Sequence, residues 1–229
     1  MYPMMFDPTY MVMILPALLL AIYAQFKVKS TFAHFSAIRA SRGQSADTVT
    51  RTLLDKFGLH NVKIERVSGN LTDHYDPRNK TLRLSDSVGG SSSIAAIGVA
   101  AHEVGHAVQD SSGYAPLRIR NSLVPVASLG SNLGILLFLL GLPMGRGHLV
   151  TLGIILFSCA VLFQIVTLPV EFDASRRALA LLSETGTLTS AELSGAKSVL
   201  SAAALTYIAA IVMAVMQLLY LLSRSRGRR

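Results

Sequence analysis

The sequence holds a single cysteine, Cys159, so no internal disulfide can staple the fold, and this thiol reads as a small buried group inside an apolar run. Acidic residues are also few: 13 Asp and Glu stand against 21 Lys and Arg, a formal net charge of +8. That balance raises nucleic acid as a partner, but no nucleic-acid-binding motif accompanies the charge. The basic residues gather instead at the ends of long apolar runs, at Lys27 and Lys29, Arg118 and Arg120, Arg176 and Arg177, and in the tail 224–229. Anionic lipid headgroups are the partner such placement implies. Within the runs ionisable residues are almost absent, which argues against a channel or transporter with a charged path. Residues 1–8, ahead of the first run, lack Lys and Arg, and that run is longer than the apolar core of a secretory signal. It is expected to be a retained anchor.

What is present is apolar length. Of 229 residues, 51% are hydrophobic, bunched into four stretches of spanning size at 9–26, 123–142, 149–168 and 199–222. A multi-pass membrane protein is the class this implies. The polar remainder is one modest domain, 27–122, one short segment, 169–198, and the basic tail 223–229. Placing the domain and the short segment in the cytoplasm collects most flanking Lys and Arg there, as the positive-inside rule asks, and leaves the turn 143–148 outside. The tail is the exception if the last stretch crosses fully.

The chemistry is concentrated in A-A-H-E-V-G-H-A-V-Q, residues 100–109. His102, Glu103 and His106 form H-E-x-x-H on an expected helix of about 94–110, which sets the two imidazoles one turn apart on one face. Two such nitrogens suit one tetrahedral zinc, and Glu103 is left to take a proton from a metal-activated water. Histidines can also be satisfied polar residues of a core. Here the surrounding helix is small or apolar throughout, and three ionisable groups in a buried helix are costly unless paired or bound to metal.

Ahead of that helix, residues 31–39 carry Phe32, Phe35 and Ile38 at helical spacing, and Ser45 should cap a short amphipathic helix bearing Val49, Leu53, Leu54 and Phe57, stopped by Gly58. Alternation at Val62 and Ile64 and again over 81–84, with turn signals at 68–70 and at Asp76-Pro77-Arg78-Asn79, predicts a small antiparallel meander. An edge strand of such a sheet can receive a peptide backbone by strand addition. His74, in T-D-H-Y-D-P, is either an oxyanion donor or a polar residue near a turn; nothing in the spacing fixes where it points, so the second reading is favoured.

A catalytic zinc needs a third protein ligand. His34, His60 and His148 lie in unrelated contexts, whereas Glu171 and Asp173 follow Pro169 at the end of the third apolar stretch. A proline there can begin a new helical segment, on which Glu171 and Ser175 share a face with Ala178 and Leu182 while Asp173 points elsewhere. Glu171 is the expected ligand, with Ser175 or Asp173 supporting the site.

Taken together, H-E-V-G-H-A-V-Q-D, L-T-D-H-Y-D-P and L-P-V-E-F-D-A-S-R-R-A resemble the YugP-type family of bacterial membrane zinc metallopeptidases over nearly the whole chain. The resemblance extends more distantly to the HtpX and CAAX-processing membrane proteases, in which H-E-x-x-H is followed by E-x-x-x-D. Glu171 matches that glutamate; Ser175 stands where the aspartate would be. It implies a mainly α membrane protein with about four transmembrane helices and a small α+β zincin-like domain. It also implies a gluzincin-like metalloendopeptidase carrying one zinc ion per chain in a bacterial cytoplasmic membrane.

The mechanism expected is hydrolysis of a peptide bond with Glu103 as general base and then acid. A site tied to the membrane surface suggests juxtamembrane segments or unfolded membrane proteins as substrates, in a quality-control or processing role. The rival from another class is a zinc-stabilised membrane scaffold, which would use four protein ligands and no Glu103; no convincing fourth ligand is present.

Overall fold

The computed structural model describes residues 7–226; the leader residues 1–6 and the last three residues of the basic tail lie outside the described residues. Six helices and three strands follow in order: α1 Pro8–Ser36, α2 Ala46–Lys56, β1 Lys63–Val67, β2 His74–Asp76, β3 Thr81–Ser85, α3 Ile94–Ser111, α4 Ala115–Gly141, α5 Gly147–Glu184 and α6 Ser190–Arg226. The chain is mainly helical, and α1, α4, α5 and α6 are each long and apolar enough to cross a membrane.

Two compact units divide the chain. The first contains the described residues up to 25, 118–169 and those from 205 onward. Phe138, Phe157, Val161, Tyr220 and Leu221 make its buried core. Few of its apolar side chains are buried, and many face outward: Val12 is 76% and Leu129 63% exposed. Apolar surface of that extent is stable against lipid rather than water. Small residues set the spacing of α4 and α5, since a Cβ added to Gly130 would lie 2.2 Å from the Leu156 carbonyl oxygen. A Cβ added to Gly134 would lie 2.9 Å from both the Gly153 carbonyl oxygen and the Phe157 amide nitrogen, so the G-x-x-x-G pair lies at a close helix crossing.

Pro169 does not begin a new helix. It lies inside α5, as Pro16 lies inside α1 and Pro125 inside α4. The ring forgoes one backbone hydrogen bond, to Ile165, and the turns on either side carry the helix on.

The second unit comprises 26–117 and 170–204. Ser45 caps α2, its side chain accepting from the Thr48 amide, and Gly58 beyond its end takes the left-handed φ of +67° that glycine tolerates. Val49, Leu53 and Leu54 of α2 are buried, while Phe57 at its C-cap is half-exposed. The antiparallel meander is corrected to a mixed sheet of order β1-β3-β2. β1 runs parallel to β3, pairing Lys63 with Thr81, and β2 runs antiparallel to it, pairing His74 with Arg83. Alternation marks strands without fixing their partners. Burial decides the order: Thr81, Leu82, Leu84 and Ser85 of β3 are buried, as befits a central strand, while β1 and β2 are edges.

Leu82 and Leu84 join Leu53, Leu54, Ile97, Ala101 and Val104 in one core that also takes in Ala178 and Leu182 of α5 and Ala196 of α6. Helix α3 is therefore enclosed by α2, the sheet, α5 and α6. Its mostly small and apolar sequence suits that position.

Candidate metal centre

Ser93 starts α3 by accepting a hydrogen bond from the Ala96 amide at 3.2 Å. From that start the helix carries His102 and His106 one turn apart, their rings edge to face with centroids 4.7 Å apart. Helix α5 supplies Glu171 opposite them. Its Oε2 lies 3.2 Å from His102 Nε2 and 3.6 Å from His106 Nε2. One ligand atom from each of the three residues falls within 4.8 Å of the others. His106 and Glu171 are buried and His102 is partly so.

The remaining ring nitrogens are occupied. His102 Nδ1 is 3.1 Å from Ser175 Oγ, and His106 Nδ1 is 3.0 Å from Gln109 Oε1. With both Nδ1 atoms engaged by the protein, both Nε2 atoms face Glu171, the placement that supported metal-binding imidazoles adopt. Two imidazole nitrogens and one carboxylate oxygen form a donor set that suits zinc and leaves a coordination position open. Electrostatics agree with that fit. Burial alone would lower the His106 pKa, yet the bond to Glu171 and the charges of Glu103 and Glu171 raise it above its ordinary value. Positive charge is thus favoured at this place.

Glu103 is buried on α3 beside the two histidines, and its carboxylate makes no hydrogen bond or ion pair to another described residue. Its charge acts on His106. An ionisable carboxylate left free at a metal-binding cluster is suited to proton transfer.

Asp173, expected to point away from the face of Glu171, is buried and also reaches α3. Its Oδ2 accepts from Gln109 Nε2 at 3.0 Å and from Arg177 Nε at 2.6 Å, and Oδ1 accepts from Arg176. The long Gln109 side chain makes this possible by reaching across to α5. Arg177 in turn lies over the Tyr114 ring, 5.6 Å from its centroid.

His74 is not brought to the cluster. Its Nδ1 is 2.9 Å from the Thr72 carbonyl oxygen and its Nε2 3.4 Å from Arg83 Nη1. The adjacent Tyr75 points to the other face of β2, where its hydroxyl donates to Asp110 Oδ2 of α3 at 2.9 Å. His60 pairs with Asp55 and His34 stacks edge-on against Phe35. Sequence reasoning missed Gln109 and Arg177. The signal for Gln109 was its place three residues after His106 on an apolar helix, where a buried amide must find partners.

The profile of a family described as "Putative neutral zinc metallopeptidase" matches residues 10–226. Over 203 residues the chain is 48% identical to a Bacillus subtilis (strain 168) protein described as "Putative membrane protease YugP", covering 89% of this chain and 90% of that one. No solved structure matches.

Proposed function

Because the chain belongs to the neutral zinc metallopeptidase family, we propose that His102, His106 and Glu171 hold one zinc ion and that Glu103 is the general base of peptide-bond hydrolysis. The observation that carries this is the convergence of His102 Nε2, His106 Nε2 and the Glu171 carboxylate while both Nδ1 atoms are tied back to the protein. When bound, zinc supplies Lewis acidity, lowering the pKa of water toward about 7 and polarising a peptide carbonyl. Glu103 accepts the proton of the attacking water and delivers it to the leaving amine. A scaffold role would give no use to a buried Glu103 whose carboxylate has no hydrogen-bond partner among the described residues.

Substrates are juxtamembrane segments or unfolded membrane proteins, in quality control or processing. Support comes from the chain itself: Glu171 follows the expected span 149–168 by three residues of unbroken α5. The exposed side of edge strand β2, next to α3, offers backbone groups for a substrate strand. The basic flanks favour a bacterial cytoplasmic membrane with the second unit in the cytoplasm.

The test is cleavage of an unfolded protein by the detergent-solubilised chain, with and without a zinc chelator. Loss of cleavage on chelation and its return with added zinc are expected. Cleavage that survives full removal of zinc would overturn the proposal. Faster cleavage of the same sequence tethered beside a span than of the free polypeptide is the expected sign of the substrate class, and equal rates would contradict it.

A further inference from the structure

We propose that Gln109 is a positioning residue that fixes the tautomer of His106 and so holds its Nε2 lone pair toward the metal position, a role that rests on the zinc reading above. Gln109 is fully buried, and all its polar capacity is directed. Its Nε2 donates to the Val170 carbonyl oxygen at 2.8 Å and to Asp173 Oδ2 at 3.0 Å. Both partners can only accept: one is a backbone carbonyl and the other a carboxylate whose two oxygens each face a guanidinium, Oδ1 that of Arg176 and Oδ2 that of Arg177.

The amide group therefore has one tenable orientation. Its NH2 must face Val170 and Asp173, because a flipped amide would set an oxygen against two acceptors. That leaves Oε1, a pure acceptor, 3.0 Å from His106 Nδ1. A hydrogen bond at that distance requires the proton on Nδ1. A neutral imidazole protonated at Nδ1 has its lone pair on Nε2, the nitrogen 3.6 Å from Glu171.

The information thus runs from Arg176 and Arg177 through Asp173 to Gln109 and then to His106. His102 Nδ1 instead meets Ser175, a hydroxyl that can donate or accept and so imposes no tautomer by itself. Gln109 is the stricter of the two devices. It also ties the helix bearing the histidines to the backbone one residue before Glu171, so ligands from α3 and α5 keep one spacing.

The test measures zinc affinity by chelator competition on the full chain in detergent, comparing wild type, Gln109→Met and Gln109→Glu. Gln109→Met keeps length and fill but leaves His106 without an acceptor, and should bind zinc about tenfold more weakly or worse. Gln109→Glu keeps an acceptor for His106 but sets a second oxygen against Val170 and Asp173; it should also lose affinity. Zinc binding by Gln109→Met within twofold of wild type would overturn the Gln109 role alone, whereas a wild type that binds no zinc would overturn the zinc reading itself.

A second measurement does not depend on either variant folding. In a zinc-loaded chain with His34, His60, His74 and His148 replaced by Gln, imidazole 15N spectra should show both remaining rings protonated at Nδ1 and ligating through Nε2. Ligation of His106 through Nδ1 would overturn the proposal.

Discussion

Gly105 of α3 and Ala174 of α5 approach so closely that a Cβ added to the glycine would lie 2.5 Å from the Ala174 carbonyl oxygen. The contact sits one residue before His106 and three after Glu171, so the absence of one side chain permits the helices bearing these two residues to meet. Gly105→Ala must push backbone against backbone, and a loss of about 1–3 kcal/mol follows from such overpacking. Gly98→Ala is the comparison, because its added Cβ would come no closer than 3.3 Å to the Ala196 Cβ and 3.5 Å to the Ala196 backbone. Thermal unfolding in detergent should show the larger drop for Gly105→Ala; equal drops would contradict this account of the crossing.

Ser175→Ala removes the group 3.1 Å from His102 Nδ1. An imidazole without its supporting partner binds metal more weakly, by about tenfold. The prediction is a weaker zinc affinity with little change in the unfolding temperature of the zinc-free protein, read by chelator competition and calorimetry. Unchanged affinity would assign Ser175 to packing alone.

Tyr75→Phe deletes the bond to Asp110 that joins β2 to α3, at a cost of about 1 kcal/mol. Burial first, and then the bond to Asp110, raise the Tyr75 pKa above its ordinary value. A group whose folded pKa is raised contributes stability in full below its unfolded pKa of about 10 and loses it as pH climbs through the folded value. The stability gap between wild type and Tyr75→Phe should therefore be flat from about pH 6 to 9 and narrow only in stronger alkali. A gap that closes between those limits would contradict the assignment.

Orientation is checked with single cysteines on a Cys159→Ala background. Arg78 lies in the turn after β2 and Arg146 in the connection from α4 to α5, and both are exposed. A membrane-impermeant maleimide should label Arg146→Cys on intact spheroplasts and Arg78→Cys only after lysis. The reverse pattern would place the second unit outside.

Much of this was legible in the sequence because the strongest signals are local. Apolar length marked the four long helices, and H-E-x-x-H set two imidazoles on one turn of α3 by helical period alone. The family resemblance and the phase of 171, 175, 178 and 182 together pointed to Glu171. What escaped was non-local. The pairing of β1 parallel to β3 depends on which strand the core buries, not on alternation within any one strand. Pro169 carried the local signal of a helix start, yet the helix continues through it. Gln109 and Asp173 lie 64 residues apart, and only the packing of α3 on α5 brings amide and carboxylate together.

The most direct test of the central claim is zinc content paired with cleavage of an unfolded protein for wild type, Glu103→Gln and Glu171→Ala. Glu103→Gln should keep its zinc and lose cleavage by at least about a hundredfold, as removal of a general base does. Glu171→Ala should lose both. If Glu103→Gln cleaves as fast as wild type, Glu103 is not the base and the peptidase mechanism drawn from this site is wrong.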